Sequence, residues 1–212
     1  MKTVRLASNV VVEIIPDYAL PVEKWYGKEF AKQCMTCGDE VEYGWYYDPE
    51  TDTFSTTKAD AIPEAQSNKI SDCSCCCQQH IYEGADVTLL DGTVQHFSYD
   101  LADQTNVSEM FYAVLSGATE YPYHADDEIC RVYSKEDIVR IYSTLSMYKT
   151  ELVTYFNNLK AQIMQMDDVN EINAVEFLVT HLEGEFLENY NNMIATAKAQ
   201  LETILSNIKT NG

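Results

Sequence analysis

Apolar residues recur every seven positions in the last third of the chain, and a repeat of this length restricts the possible folds. Ser134 is a good helix N-cap, and Asp137 three residues later gives a variant of the capping box. The repeat itself consists of Ile138, Leu145, Leu152, Leu159 and Met166, with Ile141, Tyr148 and Tyr155 on the companion seam. Such a pattern is typical of a long helix that packs against another helix.

A second long helix is predicted to follow a short break at Asp167 and Asp168. Its apolar residues continue at helical spacing from Ile172 to Ile208, which corresponds to about 60 Å of helix. Two helices joined by so short a connection are expected to fold back as an antiparallel hairpin over residues 135–212.

The second helix also has a second apolar row, which one partner helix cannot cover. Either the sheet of the preceding unit covers this surplus, or a neighbouring subunit or another protein does. We therefore select as partner-binding residues Leu178, Leu187, Ile194 and Leu205.

The preceding residues predict two smaller units separated by a linker. In a β-rich module at 1–57, strands at 3–7 and 10–15 and a hairpin over 41–56 flank a short helix after Pro21. The stretch 58–80 is polar and rich in cysteine, and we interpret it as a linker.

The unit at 81–134 begins with a hairpin whose Asp91-Gly92 pair suits a type I′ turn. A helix at 101–116 and a further hairpin over 121–133 complete it. The expected fold class is therefore α+β, with an N-terminal β-hairpin module, a central ββαββ-like unit and a C-terminal antiparallel helical hairpin.

Charge and hydropathy exclude several classes of partner. The chain has 34 acidic and 14 basic residues, a formal net charge of −20, so binding to nucleic acid or to an anionic membrane is not expected. The most apolar early stretch, 10–15, is interrupted by Glu13 and followed by Pro16, so it predicts neither a membrane span nor a secretory signal. We expect a cytoplasmic protein, or one packed into a particle assembled there, with its cysteines as thiols.

The seven cysteines offer one candidate metal site. Cys34 and Cys37 form a CxxC pair, and Cys73 and Cys75 from the second cluster would complete the four soft ligands that zinc prefers. The gap between the clusters is long for a zinc ribbon. Redox pairing and reduced thiols without a role are the alternatives, and Cys130 is interpreted as a small core residue.

No other constellation predicts an enzyme. His124 lies beside three acidic residues at 126–128, which suits either a divalent-cation site or an acidic turn between strands. His96 and His181 have no evident acid or nucleophile partner in the sequence. A phosphate-binding glycine loop, a nucleophile elbow and an HExxH helix are not found in the sequence, so we expect no catalytic activity.

An aromatic cluster offers a candidate sugar-binding surface. Trp45, Tyr46 and Tyr47 follow one another after Gly44, and exposed aromatic rings stack on sugars. The alternative is that they form the core of a short hairpin, where aromatic residues are common.

Two regions of the chain resemble proteins of bacteriophages. Gly44, Trp45, Tyr47 and Asp48, followed by Phe54, are similar to a hairpin of tail-fibre assembly proteins. The first region contains the matching stretches 9–16, 20–27, 40–49 and 53–54, and the second contains 90–97, 103–106, 121–126, 130, 133–137 and 154–157. Together, over about 9–57 and 86–166, they resemble uncharacterised tail-region proteins of phages and prophages of Gram-positive bacteria.

The resemblance implies a structural role without assigned catalytic residues. We expect a tail, baseplate or fibre-associated protein that acts by packing against other phage tail or fibre proteins and forms a homo-oligomer. It would be located in the virion tail, or in the host cytoplasm during assembly. The alternatives are a tail-fibre assembly chaperone that leaves the particle and a module that binds host cell-wall carbohydrate.

Overall fold

The structure, a computed structural model, describes residues 1–56 and 61–210 and divides into two compact units. The first unit comprises residues 1–68 and 167–173, and the second comprises 69–166 and 174–212. Both helices and strands are present, so the fold class is α+β, with an N-terminal β-hairpin, central strands and a long C-terminal helix, as the sequence predicts.

The first unit is built on an antiparallel sheet of five strands in the order β3-β1-β2-β4-β5. Ser8 and Asn9, both at positive φ, form the turn of the predicted first hairpin. The second hairpin pairs shorter strands than predicted, since its first strand begins only at Tyr46. Val41, the predicted start of that strand, is buried but lies outside any strand. The strands are β1 (Lys2–Ala7), β2 (Val10–Ile15), β3 (Cys34–Cys37), β4 (Tyr46–Asp48) and β5 (Thr53–Ser55).

Two short helices, α1 (Val22–Tyr26) and α2 (Lys28–Ala31), lie between β2 and β3, and α1 begins directly after Pro21 as predicted. The apolar side chains of this part form two separate clusters. One is centred on Val4 and Val11, and the other on Ile15 and Val22.

The predicted linker at 58–80 is wrong, because residues 61–83 form a helix of 23 residues, α3 (Ala61–Glu83). The buried residues of α3 are spaced in multiples of four and are Ala65, Cys73, Cys77 and Ile81. Cysteine acts here as a small apolar residue, and most of the polar residues between these positions are exposed. The first residues of the predicted linker, 57–60, lie outside the described residues.

In the second unit the central strands and the long helices share one core. This unit contains α4 (Leu101–Leu115), α5 (Lys135–Ile163), and two hairpins formed by β6 (Ala85–Thr88) with β7 (Val94–Phe97) and by β8 (Glu120–Tyr123) with β9 (Arg131–Ser134). One cluster extends from Val87 and Phe97 through Met110 to Ile141 and Leu152. The predicted boundary between 81–134 and 135–212 is therefore wrong, because each part supplies the apolar surface that the other covers.

The hairpin at Asp91-Gly92 is confirmed, but its predicted turn type is wrong. Only Gly92 has a positive φ, whereas a type I′ turn needs two such residues. The Gly92 N–H donates to Leu89 O and the Leu89 N–H donates to Thr93 O. The loop is therefore longer than two residues, and it carries Leu90 and Asp91 away from the strands.

Helix α5 confirms the first long helix of the hairpin. The Ser134 side chain accepts a hydrogen bond from the Asp137 N–H and so caps it. The buried residues of α5 include four of the predicted heptad positions, Ile138, Leu145, Leu152 and Leu159. Met166 lies beyond the end of the helix at Ile163.

The second long helix is interrupted. A short helix, α6 (Val169–Ala174), is followed by irregular chain up to 183 and then by α7 (Gly184–Thr210). Helix α7 has 27 residues, about 40 Å rather than the predicted 60 Å. It runs antiparallel to α5, since Lys198 pairs with Glu151 and Asn189 bonds to Asn158.

The break before α7 depends on polar groups of α5. The Tyr155 hydroxyl donates to Thr180 O, and the Gln162 side chain donates to His181 O and accepts from the Glu183 N–H. These bonds satisfy backbone groups that a continuous helix would have paired internally.

Candidate functional site

An open cleft of about 710 Å³ lies where the end of α7 meets the start of α5. Its lining comes from four separate parts of the second unit, which are the β6–β7 loop, the segment after α4, helix α5 and helix α7. A volume of this size is within the range of ligand and peptide sites. The lining residues are Leu90, Gly117, Ala118, Thr119, Lys135, Glu136, Val139, Arg140, Leu205 and Ile208.

The walls of this carboxyl-end cleft are fixed by hydrogen bonds at the first turn of α5. Asp137 accepts from the Leu90 N–H at 2.7 Å and from the Ser134 hydroxyl at 2.8 Å. The Lys135 N–H donates to Thr119 O at 2.8 Å. The first turn of α5 therefore anchors both Leu90 and the segment after α4, and the cleft is largely preformed.

Two cations lie on the rim of the cleft. Lys135 is half-buried and Arg140 is exposed, and two carboxylates, Glu136 and Asp137, lie between them in sequence. Within the described residues neither cation has a carboxylate at ion-pair distance. Two basic and two acidic residues within 135–140 therefore give this end of the cleft a formal charge of zero.

A smaller cavity of about 250 Å³ adjoins the carboxyl-end cleft and shares Gly117, Lys135 and Ile208 with it. Leu115 and Ile204 also line this cavity, and both are exposed. The two cavities therefore form one groove, whose lining includes Leu90 at the first cavity and Leu115 at the second.

The four predicted partner-binding residues do not form one row. Ile194 is 7% exposed, because the chain's own core covers it, and Leu187 is 44% exposed on α7. Leu178 is placed outside the helix with φ of 64°, so its predicted position in the row is wrong. Leu205 lines the carboxyl-end cleft. The sequence missed Leu90, Val139 and the two rim cations.

His96 lies at a junction of three chain segments, although no partner for it was evident in the sequence. Its Nδ1 is 2.7 Å from Asp86 Oδ1 and its Nε2 is 2.8 Å from Glu83 O. The hydrogen bond to Asp86, the carbonyl of Glu83 and the charge of Asp126 raise the pKa of His96 above its ordinary 6.5, against a smaller opposing effect of burial. The arrangement suits an imidazolium that donates both N–H groups, which joins the end of α3 to β6 and β7.

The acidic turn after β8 is held by hydrogen bonds within the chain. Asp126 Oδ1 accepts from the N–H and the hydroxyl of Ser98, and His124 Nδ1 lies 3.2 Å from Ala125 O. Within the part of the chain that the structure describes, no group of three or more His, Cys, Asp or Glu residues is arranged to hold a metal ion. The geometry therefore favours the turn over the divalent-cation site.

The two cysteines of the CxxC pair lie in different apolar clusters of the first unit. Cys34 packs with the cluster around Ile15, whereas Cys37 belongs to the cluster around Val4. Each thiol lies close to a backbone carbonyl, that of Phe30 or Lys2. Burial raises the pKa of both thiols, so both are in the protonated form near neutral pH.

The second cysteine cluster lies along α3. Burial raises the pKa of the Cys73 and Cys77 thiols, whereas Cys75 faces solvent. A cavity of about 270 Å³ beside Cys73 and Cys76 is closed on one side by Phe177, whose ring stacks on His80. Cys130, interpreted as a core residue, is exposed just before β9, so that prediction is wrong.

The three aromatic residues selected for sugar binding do not form one exposed surface. Trp45 packs against the core cluster of Val4 and Val11. Tyr47 lies against Phe54 with ring centroids 5.1 Å apart, and its hydroxyl donates to Asp52. This arrangement supports the alternative that the aromatic residues stabilise the hairpin.

Comparison with protein-family models, with curated protein sequences and with solved structures returned no match for this chain. None of the helices in the described ranges combines the length and the apolar content that a membrane span requires.

Proposed function

We propose that this protein is a structural component that acts by packing against other proteins, in the tail, baseplate or fibre region of a phage or phage-derived particle. The observation that carries the packing role is the carboxyl-end cleft, which is preformed, apolar and open. The resemblance of 9–57 and 86–166 to phage tail-region proteins supports the setting. The role needs docking surfaces and no catalysis.

The docking site in this proposal differs from the row that the sequence predicts. Leu205 remains in it, and Leu90, Val139 and Ile208 join it. A partner segment that fills the cleft would remove these side chains from water, at roughly 25 cal/mol for each Å² of apolar surface. Apolar anchors in a preformed pocket are the usual source of affinity in such contacts.

Leu90→Asp tests the role in cells that assemble the particles. Leu90 is 58% exposed, so the change places a charge in the cleft without disturbing the core; Val94→Asp on the same hairpin is the matched control, since Val94 is 61% exposed and lies outside the cleft lining. We expect the wild-type chain and the control to sediment with particles or with tail-assembly intermediates, and Leu90→Asp to remain unbound.

Finished particles and intermediates are separated and analysed by mass spectrometry. A chain found in both is a particle component, whereas one found only in intermediates is an assembly chaperone. Absence of the wild-type chain from both fractions would refute the proposed function.

A further inference from the structure

The irregular segment 175–183, which we call the strap, covers one face of helix α3. Val175 and Phe177 line the cavity of about 270 Å³ together with Cys73 and His80. The Phe177 ring stacks on the His80 ring with centroids 5.9 Å apart, and both Val175 and Cys73 are buried. The strap therefore forms part of the wall that shields Cys73 from solvent.

The conformation of the strap is not the one that its sequence favours. Residues 169–183 contain neither glycine nor proline. Val175, Val179 and Leu182 follow one another at helical spacing. Leu178 nevertheless has a φ of 64°, a left-handed conformation that is unfavourable for a residue with a Cβ. Such strain persists only where the surrounding structure imposes it, and it is common in segments that switch between conformations.

Buried contacts hold the ends of the strap but not its middle. Val175 and Leu182 are buried, and the Lys69 ammonium donates to Val175 O at 3.0 Å. Leu178 and Val179, in contrast, are exposed. The strained residue thus gains little from burial of its own side chain, so other interactions must hold the backbone there.

Three hydrogen bonds from side chains of α5 hold the half of the strap that leads into α7. The Tyr155 hydroxyl donates to Thr180 O at 2.6 Å. The Gln162 side chain donates to His181 O at 3.2 Å and accepts from the Glu183 N–H at 2.9 Å. We call these three bonds the latch. A segment held by so few interactions can open without unfolding of the whole unit.

We propose that the strap is a lid on α3, which opens when the latch is released and uncovers Cys73. Tyr155 couples the two events, because its hydroxyl belongs to the latch and its ring packs edge-on against Phe177 with centroids 5.3 Å apart. Opening also relieves the strain at Leu178. This inference goes beyond the proposed function and does not depend on it.

Thiol alkylation measures the opening, because iodoacetamide reaches Cys73 when the wall that shields it moves away. The wild type and Y155F/Q162L are treated under native conditions, and tandem mass spectrometry follows each cysteine. We expect Cys73 to react at least about tenfold faster in the double variant, since three hydrogen bonds of the closed state are lost.

Cys77 is the internal control for unfolding of the whole unit. It is buried on the same helix as Cys73, but its thiol lies 3.6 Å from Leu152 O of α5, so its rate should not change. Equal acceleration at both cysteines would mean that the whole unit loosens, and it overturns the inference. An unchanged rate at Cys73 in the double variant also overturns it.

Tyr142→Phe is the matched control variant. Tyr142 stacks on Phe111 and lies about 20 Å along α5 from Tyr155. Removal of its hydroxyl should therefore leave the alkylation of Cys73 at the wild-type rate. Acceleration at Cys73 as large as that in Y155F/Q162L would show that the latch has no special role, which overturns the inference.

Leu178→Gly tests the strain separately and has the opposite expected sign. Glycine adopts a φ of 64° without the penalty of a Cβ, so this variant should keep the strap closed for longer and slow the alkylation of Cys73. A rate equal to or faster than that of the wild type overturns the inference. Circular dichroism of each variant confirms folding before alkylation is measured.

Discussion

Gly84 connects α3 to β6, and its replacement by alanine should destabilise the second unit strongly. Gly84 has φ of 79°, and a Cβ there would overlap the carbonyl oxygen of Phe97 and lie 2.7 Å from the Phe97 carbonyl carbon. Both atoms belong to the backbone of β7 or its end, so no side-chain rotation can relieve the overlap. Relief requires the Phe97 backbone to move, which would also disturb the bond from His96 to Glu83 O.

The magnitude follows from three contributions. A left-handed conformation costs an L-residue roughly 1–2 kcal/mol, overpacking adds about 1–3 kcal/mol, and a lost hydrogen bond adds about 1 kcal/mol. Reduced freedom of the unfolded chain returns about 0.4–1 kcal/mol. We therefore expect Gly84→Ala to lower the free energy of unfolding by about 2–5.5 kcal/mol.

Gly92→Ala is the matched control, because Gly92 has φ of 87° and a Cβ there would meet open space. It should cost about 1 kcal/mol or less. Urea unfolding followed by far-UV circular dichroism measures both variants. Fluorescence of Trp25 and Trp45, the two tryptophans of the chain, reports on the first unit separately. Equal midpoints for the two variants would show that the overlap at Phe97 carries no cost.

Three further predictions concern side chains singled out above. Trp45→Ala should lower the stability of the first unit by about 2 kcal/mol, as measured by urea titration with the fluorescence of the remaining tryptophan. Its retention on cell-wall glycan should stay at the wild-type level. Loss of retention in a variant of unchanged stability would contradict this. Ile194→Ala should cost roughly 2–4 kcal/mol and Leu187→Ala less than about 1 kcal/mol, and comparable midpoints would contradict the burial of Ile194. The bond to Asp86 raises the pKa of His96, so its stabilisation is complete below pH 6.5 and is lost as the pH rises through the folded-state pKa. The stability difference between the wild type and His96→Gln should therefore shrink with rising pH, and a difference that grows would be the wrong sign.

The parts of the fold that sequence reasoning predicted depend on local patterns. The heptad from Ile138 to Leu159 predicts α5 because side chains at that spacing share one helical face. Ser134 predicts its start because the cap bond lies within four residues. Ser8 and Asn9 predict the first hairpin for a similar reason, since Ser and Asn are common turn residues and Asn tolerates the left-handed conformation. None of these predictions needs a distant partner.

Helix α3 was missed although its pattern is also local. Cys73, Cys77 and Ile81 recur every four residues, which is a helical spacing, but clustered cysteines also suit metal ligands, and the polar residues between them also suit a linker. Small apolar residues give a weak amphipathic signal, and here the burial of two thiols supplies much of the buried face. Counting cysteine among the core residues would have found the helix.

The break before α7 and the carboxyl-end cleft share a different origin, which no local pattern contains. Tyr155 and Gln162, more than fifteen residues earlier in the chain, form hydrogen bonds with backbone groups at the break. In a continuous helix the same backbone groups would bond to each other, so the sequence around Leu178 alone does not predict the break. The cleft exists because Asp137 holds Leu90 across 47 positions of sequence. In both places polar side chains of α5 form hydrogen bonds with backbone groups that are distant in sequence. The carboxyl-end cleft therefore depends on the tertiary structure around α5. Its lining residues can be identified only when the position of α5 relative to the β6–β7 loop is known.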